Sequence, residues 1–258
     1  MSHPKELAQE HWDFIVIGTG ASGATAGFAL AKMGKRVLFL EKGLSLIDKQ
    51  FILCGNYAET FFKIPETPKP KHRSLLEKAG RYTEEITDRT KKKPRKFIPY
   101  TGSGTGGSTT IYGAVLERFQ PSDFDRWPLD GGELTFYYEQ AEKLYRVREL
   151  HLSPAGRELS NHLAEKGLHP YPLPAAHDAD PDCTGCQGFI CANHTKNDAA
   201  KICLIPALRD YGAALVDRCQ VTRLEATKDR VTTVHGLLHH KIEIAFKADA
   251  VILAAGGP

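Results

Sequence analysis

No stretch of this 258-residue chain approaches the ~18 consecutive apolar residues that a membrane-spanning helix needs. The opening residues, MSHPKELAQEHWDF, have no apolar region of the kind a secretory signal carries. These two absences predict an unexported, cytoplasmic protein. Cysteine is scarce: six are too few to staple a fold of this size by disulfides, which agrees with a reducing compartment. An excess of one charge is also missing. Lysine and arginine number 34 against 31 acids, a net charge of +3, and this gives no argument for nucleic acid or an acidic membrane as partner. No internal repeat is visible.

What is present is an apolar content of 41%, ordinary for a chain with a buried core, and glycine concentrated in a few places. Phe14 to Ile17 is a short apolar run, as in a strand covered on both faces, and it leads directly into Gly18-Thr19-Gly20-Ala21-Ser22-Gly23. The small-residue stretch from Ala21 to Met33 predicts a helix closed at Gly34, and Arg36 to Leu40 a second strand. Glu41 stands at the end of that strand, near the ~20-residue spacing of an acid that binds a ribose diol. The unit reads as an adenine-dinucleotide site: Gly18 permits the tight turn, Gly20 lets backbone approach a pyrophosphate, and Gly23 lets helix pack on strand. Glu41 would repel a 2′-phosphate, which disfavours NADP. The unit alone leaves FAD and NAD as alternatives.

Residues 46–99 read as an irregular excursion with a short helix around Leu75 to Asp88, and the basic run Lys91 to Lys96 as a solvated loop. Residues 100–114 hold five glycines and six Ser or Thr residues before Val115 and Leu116, which predicts a second close approach of backbone to a ligand. A second excursion spans about 130–182. Within it, Phe136 to Val147 is an amphipathic helix whose aromatic stripe is expected in the core; a further helix follows Pro154. Ala199 to Tyr211 reads as helical. Apolar stretches at 214–216, 220–226, 231–238 and 242–246 predict a strand and then a meander, and Val251 to Leu253 a separate buried strand ending in small residues. Cys183, Cys186, Cys191 and His194 give the spacing C-x2-C-x4-C-x2-H. A metal or iron-sulfur cluster, a disulfide and free thiols all remain open there, and a single CxxC is not enough to assign a metal.

Taken together, GTGASGATAGFALAKMGKRVLFLEKG, GSGTGGSTTIYGAVLERFQPSDF and ADAVILAAGGP resemble, in order and spacing, the glucose-methanol-choline (GMC) family of FAD-dependent oxidoreductases. The resemblance implies an α/β, Rossmann-like FAD-binding fold with an inserted β-meander and irregular or helical excursions, stopping before the substrate domain is complete. It implies FAD rather than NAD. Gly18, Gly20 and Gly23 would hold the pyrophosphate and Glu41 the adenosine ribose, with Thr19, Ala21, Ser22 and Lys42 as further cofactor-binding residues. Gly102, Gly106, Gly107 and Ser108 would lie along the path to the flavin, with Tyr112, Gly113, Ala114 and Val115 nearest its ring. Val221 would face adenine, and Ala254, Ala255 and Gly256 would border the cofactor. The FAD-contacting segments are thus about 13–43, 100–116, 214–226 and 248–258. The implied chemistry is oxidation of a CH–OH group of a small alcohol or sugar by hydride transfer to flavin. The catalytic base and most of the substrate pocket have no matching position, so His239 and His240 are expected to be exposed surface histidines. The alternative is a non-catalytic flavin-binding subunit that docks a partner chain supplying the remainder.

Overall fold

In a computed structural model, residues 3–48, 52–55, 70–90, 92–129, 131–149, 152–178 and 187–256 are described. A short helix α1 (Pro4–Leu7) precedes β1 (His11–Ile17), α2 (Ala21–Lys32) and β2 (Val37–Leu40). Next come α3 (Pro70–Lys78), β3 (Ile86–Asp88) and β4 (Arg95–Phe97). Then follow α4 (Thr135–Tyr145), β5 (Val147–Glu149), α5 (Pro154–Glu165) and β6 (Pro174–Ala176). The last elements are a π-helical turn Ala200–Leu204, α6 (Ile205–Asp210), β7 (Ala214–Val216), β8 (Cys219–Ala226), β9 (Val231–Leu238) and β10 (Ile242–Leu253). Among the described residues no helix is long and apolar enough to cross a membrane.

The central sheet has the order β7-β2-β1-β10-β9-β8. β7, β2, β1 and the second half of β10 are parallel, whereas β8, β9 and the first half of β10 form an antiparallel meander. Period-2 alternation sends Ile15 and Ile17 into one core with Leu38, Leu40, Val216 and Phe246. Val16 and Phe39, also fully buried, have the opposite parity. There Phe39 meets α2. A Cβ on Gly27 would fall 2.3 Å from its ring, so the alanine and glycine content of α2 is what lets helix and sheet approach.

Three expectations are corrected. The helix expected around 75–88 is α3, which ends at Lys78 before Gly80, and residues 86–88 pair with 95–97 instead. The stretches 242–246 and 251–253, expected as separate strands, are one 12-residue strand. Its charged residues do not interrupt it because Lys247 and Asp249 alternate onto an exposed side, where Asp249 meets His11 Nε2 at 2.8 Å. On α4, Phe136 and Tyr137 are 61% and 67% exposed rather than core. The helix buries its last turn, where Tyr145 is covered and its carbonyl accepts from Asn197 Nδ2 at 3.1 Å.

The chain divides into two compact units: Met1–Tyr112 with Cys186–Ala192 and Asp198–Pro258, and Gly113–Gly185 with Asn193–Asn197. The first contains the central sheet. The second contains α4, α5 and the β5–β6 pair, with Asn197 Nδ2 also donating to Asp178 at 3.2 Å.

Candidate dinucleotide site

At the carboxyl end of β1, three glycines answer three different demands. Gly18 has φ +95°, and a Cβ there would lie 2.4 Å from the Ala254 carbonyl oxygen. A Cβ on Gly23 would lie 2.1 Å from the Gly18 carbonyl oxygen, so only glycine lets α2 start this close to the strand. Gly20 has ordinary extended backbone, φ −68°, and nothing stands within 4 Å of where its Cβ would be. Its role is space: it opens in front of α2, whose first turn has no side-chain cap and therefore presents amide N–H groups and the positive end of the helix dipole.

Glu41 closes one side of this opening. It is 8% exposed, and Oε2 accepts from the Thr19 N–H at 3.0 Å and the Thr19 hydroxyl at 2.5 Å, while Oε1 accepts from the Gly43 N–H at 2.8 Å. The Glu41 N–H donates to the Val216 carbonyl at 2.9 Å, and the Cys219 N–H donates to the Glu41 carbonyl at 2.8 Å, so the acid is fixed between the ends of β2 and β7.

The second glycine-rich segment packs directly on the first. The Gly106 N–H donates to the Thr19 carbonyl at 3.1 Å, and a Cβ on Gly107 would come within 3.0 Å of Gly20 Cα. Ser108 Oγ accepts from the Gly102 N–H at 3.1 Å and lies 2.7 Å from Thr101 Oγ1, so Gly102 and Ser108 brace the segment internally. Thr109 donates to the Gly106 carbonyl at 2.6 Å and accepts from the Ala199 N–H at 2.9 Å, which anchors the segment to the start of the π-helical turn. From the third segment, the Ala254 N–H donates to the Ile17 carbonyl at 2.9 Å, and Ala255 Cα lies beside Gly18. Gly256 follows with φ +83° and open space around its Cβ position.

Residues 18–23, 41, 102–108 and 254–256 are therefore assembled within the first unit. Tyr112 ends the first stretch of that unit, whereas Gly113, Ala114 and Val115 belong to the second, where the Ala114 carbonyl accepts from the Ala176 N–H at 2.8 Å and Val115 bridges Ala175. Val221 lies on β8 opposite Gly236 and packs on the sheet core, two residues beyond Cys219. Lys42 pairs with Glu84 and lies over the Tyr82 ring, 5.2 Å from its centroid. Partial burial opposes both charges of that pair, but the hydrogen bond and opposite charge outweigh it, holding Lys42 above its ordinary 10.5 and Glu84 below its ordinary 4.5.

Sequence reasoning missed the cleft beside this pair. It encloses about 180 Å³ and is lined by Lys42, Tyr82, Glu84, Arg218, His239 and His240 among others. The available signal was the His-His pair between two strand-like runs, where a tight turn ordinarily carries Asn-Gly. Both histidines are exposed. Cys183 and Cys186 lie outside the described residues; among the described ones, no three His, Cys, Asp or Glu side chains are grouped to hold a metal ion.

The open space at Gly20, the uncapped helix start and the buried carboxylate at Glu41 fit an adenine dinucleotide. The family model described as GMC oxidoreductase matches residues 12–257. Curated relatives include 6'''-hydroxyparomomycin C oxidase of Streptomyces lividus, 28% identical over 86% of this chain and 46% of its own length. Paromamine 6'-oxidase of Streptomyces fradiae is 27% identical, over 90% of this chain and 46% of its own length. The chain thus spans about half the length of the curated relatives it matches. Among solved structures, pyridoxine 4-oxidase from Mesorbium loti superposes with a TM-score of 0.62 at 18% identity, covering 95% of this chain and 50% of the other, and so shares the fold. The cofactor of this fold is FAD, and the chain belongs to the GMC oxidoreductase family.

Proposed function

We propose that this chain is the FAD-binding part of an oxidoreductase that oxidises a CH–OH group of a small alcohol or sugar. The observation that carries the reading is the convergence of three glycine-rich segments at the end of β1 beside the buried Glu41 carboxylate. The names of the relatives, 6'''-hydroxyparomomycin C oxidase and paromamine 6'-oxidase, support the substrate class. Bound FAD supplies the hydride acceptor.

The chain's own residues bind and orient that group. The amides at the start of α2, reached across Gly20, hold the pyrophosphate. Glu41 accepts hydrogen bonds from the adenosine ribose, already oriented by Thr19 and Gly43. Gly102, Gly106, Gly107 and Ser108 cover the pyrophosphate and lead toward the flavin; Tyr112 to Val115 lie nearest its ring. Ala254 to Gly256 form the opposite border, Lys42 flanks the ribose, and the backbone at Val221 meets the adenine. The corresponding segments are 13–43, 100–116, 214–226 and 248–258. No observation favours the alternative of a non-catalytic subunit docking a partner.

The test is reconstitution. Purified protein mixed with FAD and passed through a desalting column retains yellow flavin absorbance at about one equivalent, and ADP competes for the site. Flavin that elutes wholly with the small molecules overturns the reading.

A further inference from the structure

The net charge of the chain is concentrated in one place. Residues 84–97 carry six cations, Arg89, Lys91, Lys92, Lys93, Arg95 and Lys96, against Glu84, Glu85 and Asp88, an excess equal to the +3 of the whole chain. The remaining residues carry equal numbers of the two signs, so the total gives no hint of an anionic partner.

The fold gathers these charges at the end of an arm. The Ser103 N–H donates to the Gly80 carbonyl at 2.9 Å, Arg81 bridges Gly102, and the Tyr82 N–H donates to the Thr101 carbonyl at 3.0 Å. Further out, Ile86, Thr87 and Asp88 of β3 face Phe97, Lys96 and Arg95 of β4. All these pairings keep one antiparallel register. The ladder is interrupted where Glu84 would face Pro99, which has no N–H to donate. The base of the arm is continuous with the glycine-rich segment at Gly102, and at its tip residues 89, 90 and 92–96 are exposed.

The acids of the arm are engaged. Glu84 pairs with Lys42, Glu85 pairs with Lys96 at 3.0 Å, and Asp88 Oδ1 accepts from the Thr90 N–H at 2.9 Å and its hydroxyl at 2.6 Å. Arg95, opposite Asp88, lies over the Phe97 ring, 4.8 Å from its centroid. Among the described residues, no ion pair or hydrogen bond reaches the side chains of Arg89, Lys92 or Lys93. Like charges held on one turn repel each other, and a surface of opposite charge relieves that repulsion.

We propose that this tip docks on an anionic lipid surface. An exposed turn offers no groove to a peptide, and residues 88–96 hold no aromatic side chain to stack on bases. Lysines are hydrated point charges on flexible stems, which suit a field of mobile headgroups better than one fixed partner geometry. The contact is peripheral and is screened by salt.

The test is sedimentation of the purified chain with vesicles of phosphatidylcholine alone, or with about one lipid in three replaced by phosphatidylserine. The wild type is expected to bind only the anionic vesicles at low salt, and to dissociate as salt rises. Lys92→Gln/Lys93→Gln is expected to bind about thirtyfold more weakly, the share of two surface cations. Lys32→Gln/Lys35→Gln removes the same charge at the end of α2 and is expected to stay within about twofold of wild type. All four lysines are exposed, so melting temperatures stay at the wild-type value. A wild type that ignores anionic vesicles, or equal losses in the two variants, overturns the proposal. Tighter binding to duplex DNA than to the vesicles, with the same dependence on Lys92 and Lys93, also overturns it and assigns the tip to nucleic acid.

Discussion

Both hydrogen-bond donors of Thr19, its backbone N–H and its hydroxyl, converge on one carboxylate oxygen of Glu41, at 3.0 and 2.5 Å. Thr19 is fully buried and Glu41 nearly so; the pair ties the turn after β1 to the end of β2 before any ligand arrives. Glu41→Ala leaves these donors and the Gly43 N–H without their acceptor, and should lower unfolding stability by about 1–3 kcal/mol. Thr19→Val removes only the hydroxyl and should cost less. Urea denaturation of the flavin-free variants measures both.

Gly18 and Gly20 stand two positions apart and should respond to alanine in opposite ways. Gly18→Ala drives a Cβ to 2.4 Å from the Ala254 carbonyl at φ +95°, so the variant should lose several kcal/mol or fail to fold. Gly20→Ala meets nothing within 4 Å and should stay within about 1 kcal/mol of the parent. Its Cβ would occupy the space in front of α2, so FAD affinity should fall at least tenfold. Melting curves with and without FAD separate the two outcomes.

The Lys42–Glu84 pair should shape the pH profile only at the extremes. Glu84 is lowered below 4.5, so its contribution is complete above that pH and disappears as the pH falls through the lowered value. Lys42 is raised above 10.5, so its contribution is complete below that pH and disappears as the pH rises through the raised value. Side chains 34% and 42% exposed are screened by solvent, which limits the pair to under about 1 kcal/mol. Glu84→Gln should therefore differ from the parent between about pH 5 and 10 and converge with it in acid, as pH-dependent thermal unfolding would record.

Cys219 is 1% exposed, and burial, with the charge of Asp217 adding to it, pushes its thiol up to about 12 from an ordinary 9.0. At pH 8 it should resist alkylation until the protein unfolds. The unfolded chain ionises first, so Cys219 should also make stability decline above pH 9.0. Mass-spectrometric labelling at 219 with increasing urea follows the first effect; a label acquired by the native protein within minutes would refute it.

The dinucleotide unit was legible in sequence because its demands are local: a strand, a turn that forces glycine, a helix and an acid follow one another within about thirty residues. The meander strands were legible through their apolar runs. What was not legible depends on distant partners. The continuity of β10 through Lys247 and Asp249 needs β9 on one half and β1 on the other. The exposure of Phe136 and Tyr137 reflects which turn of α4 is covered, and periodicity within a helix does not say which end that is. The Lys42–Glu84 pair joins residues 42 positions apart, with no local pattern to announce it.

β10 pairs antiparallel with β9 along its first half and parallel with β1 along its second, and Ala254 and Ala255, just past its end, stand against Gly18. During synthesis, β1 and its glycine turn leave the ribosome long before the strand that braces them exists. The nascent chain must hold β1 open until Ala248 to Leu253 arrives, an interval in which its apolar Phe14 to Ile17 run offers an unpaired edge to neighbours and to chaperones. Once β10 is in place, meander and nucleotide crevice share one backbone, so they should melt as a single cooperative unit, with amide exchange at Phe246 and Val251 proceeding at similar rates.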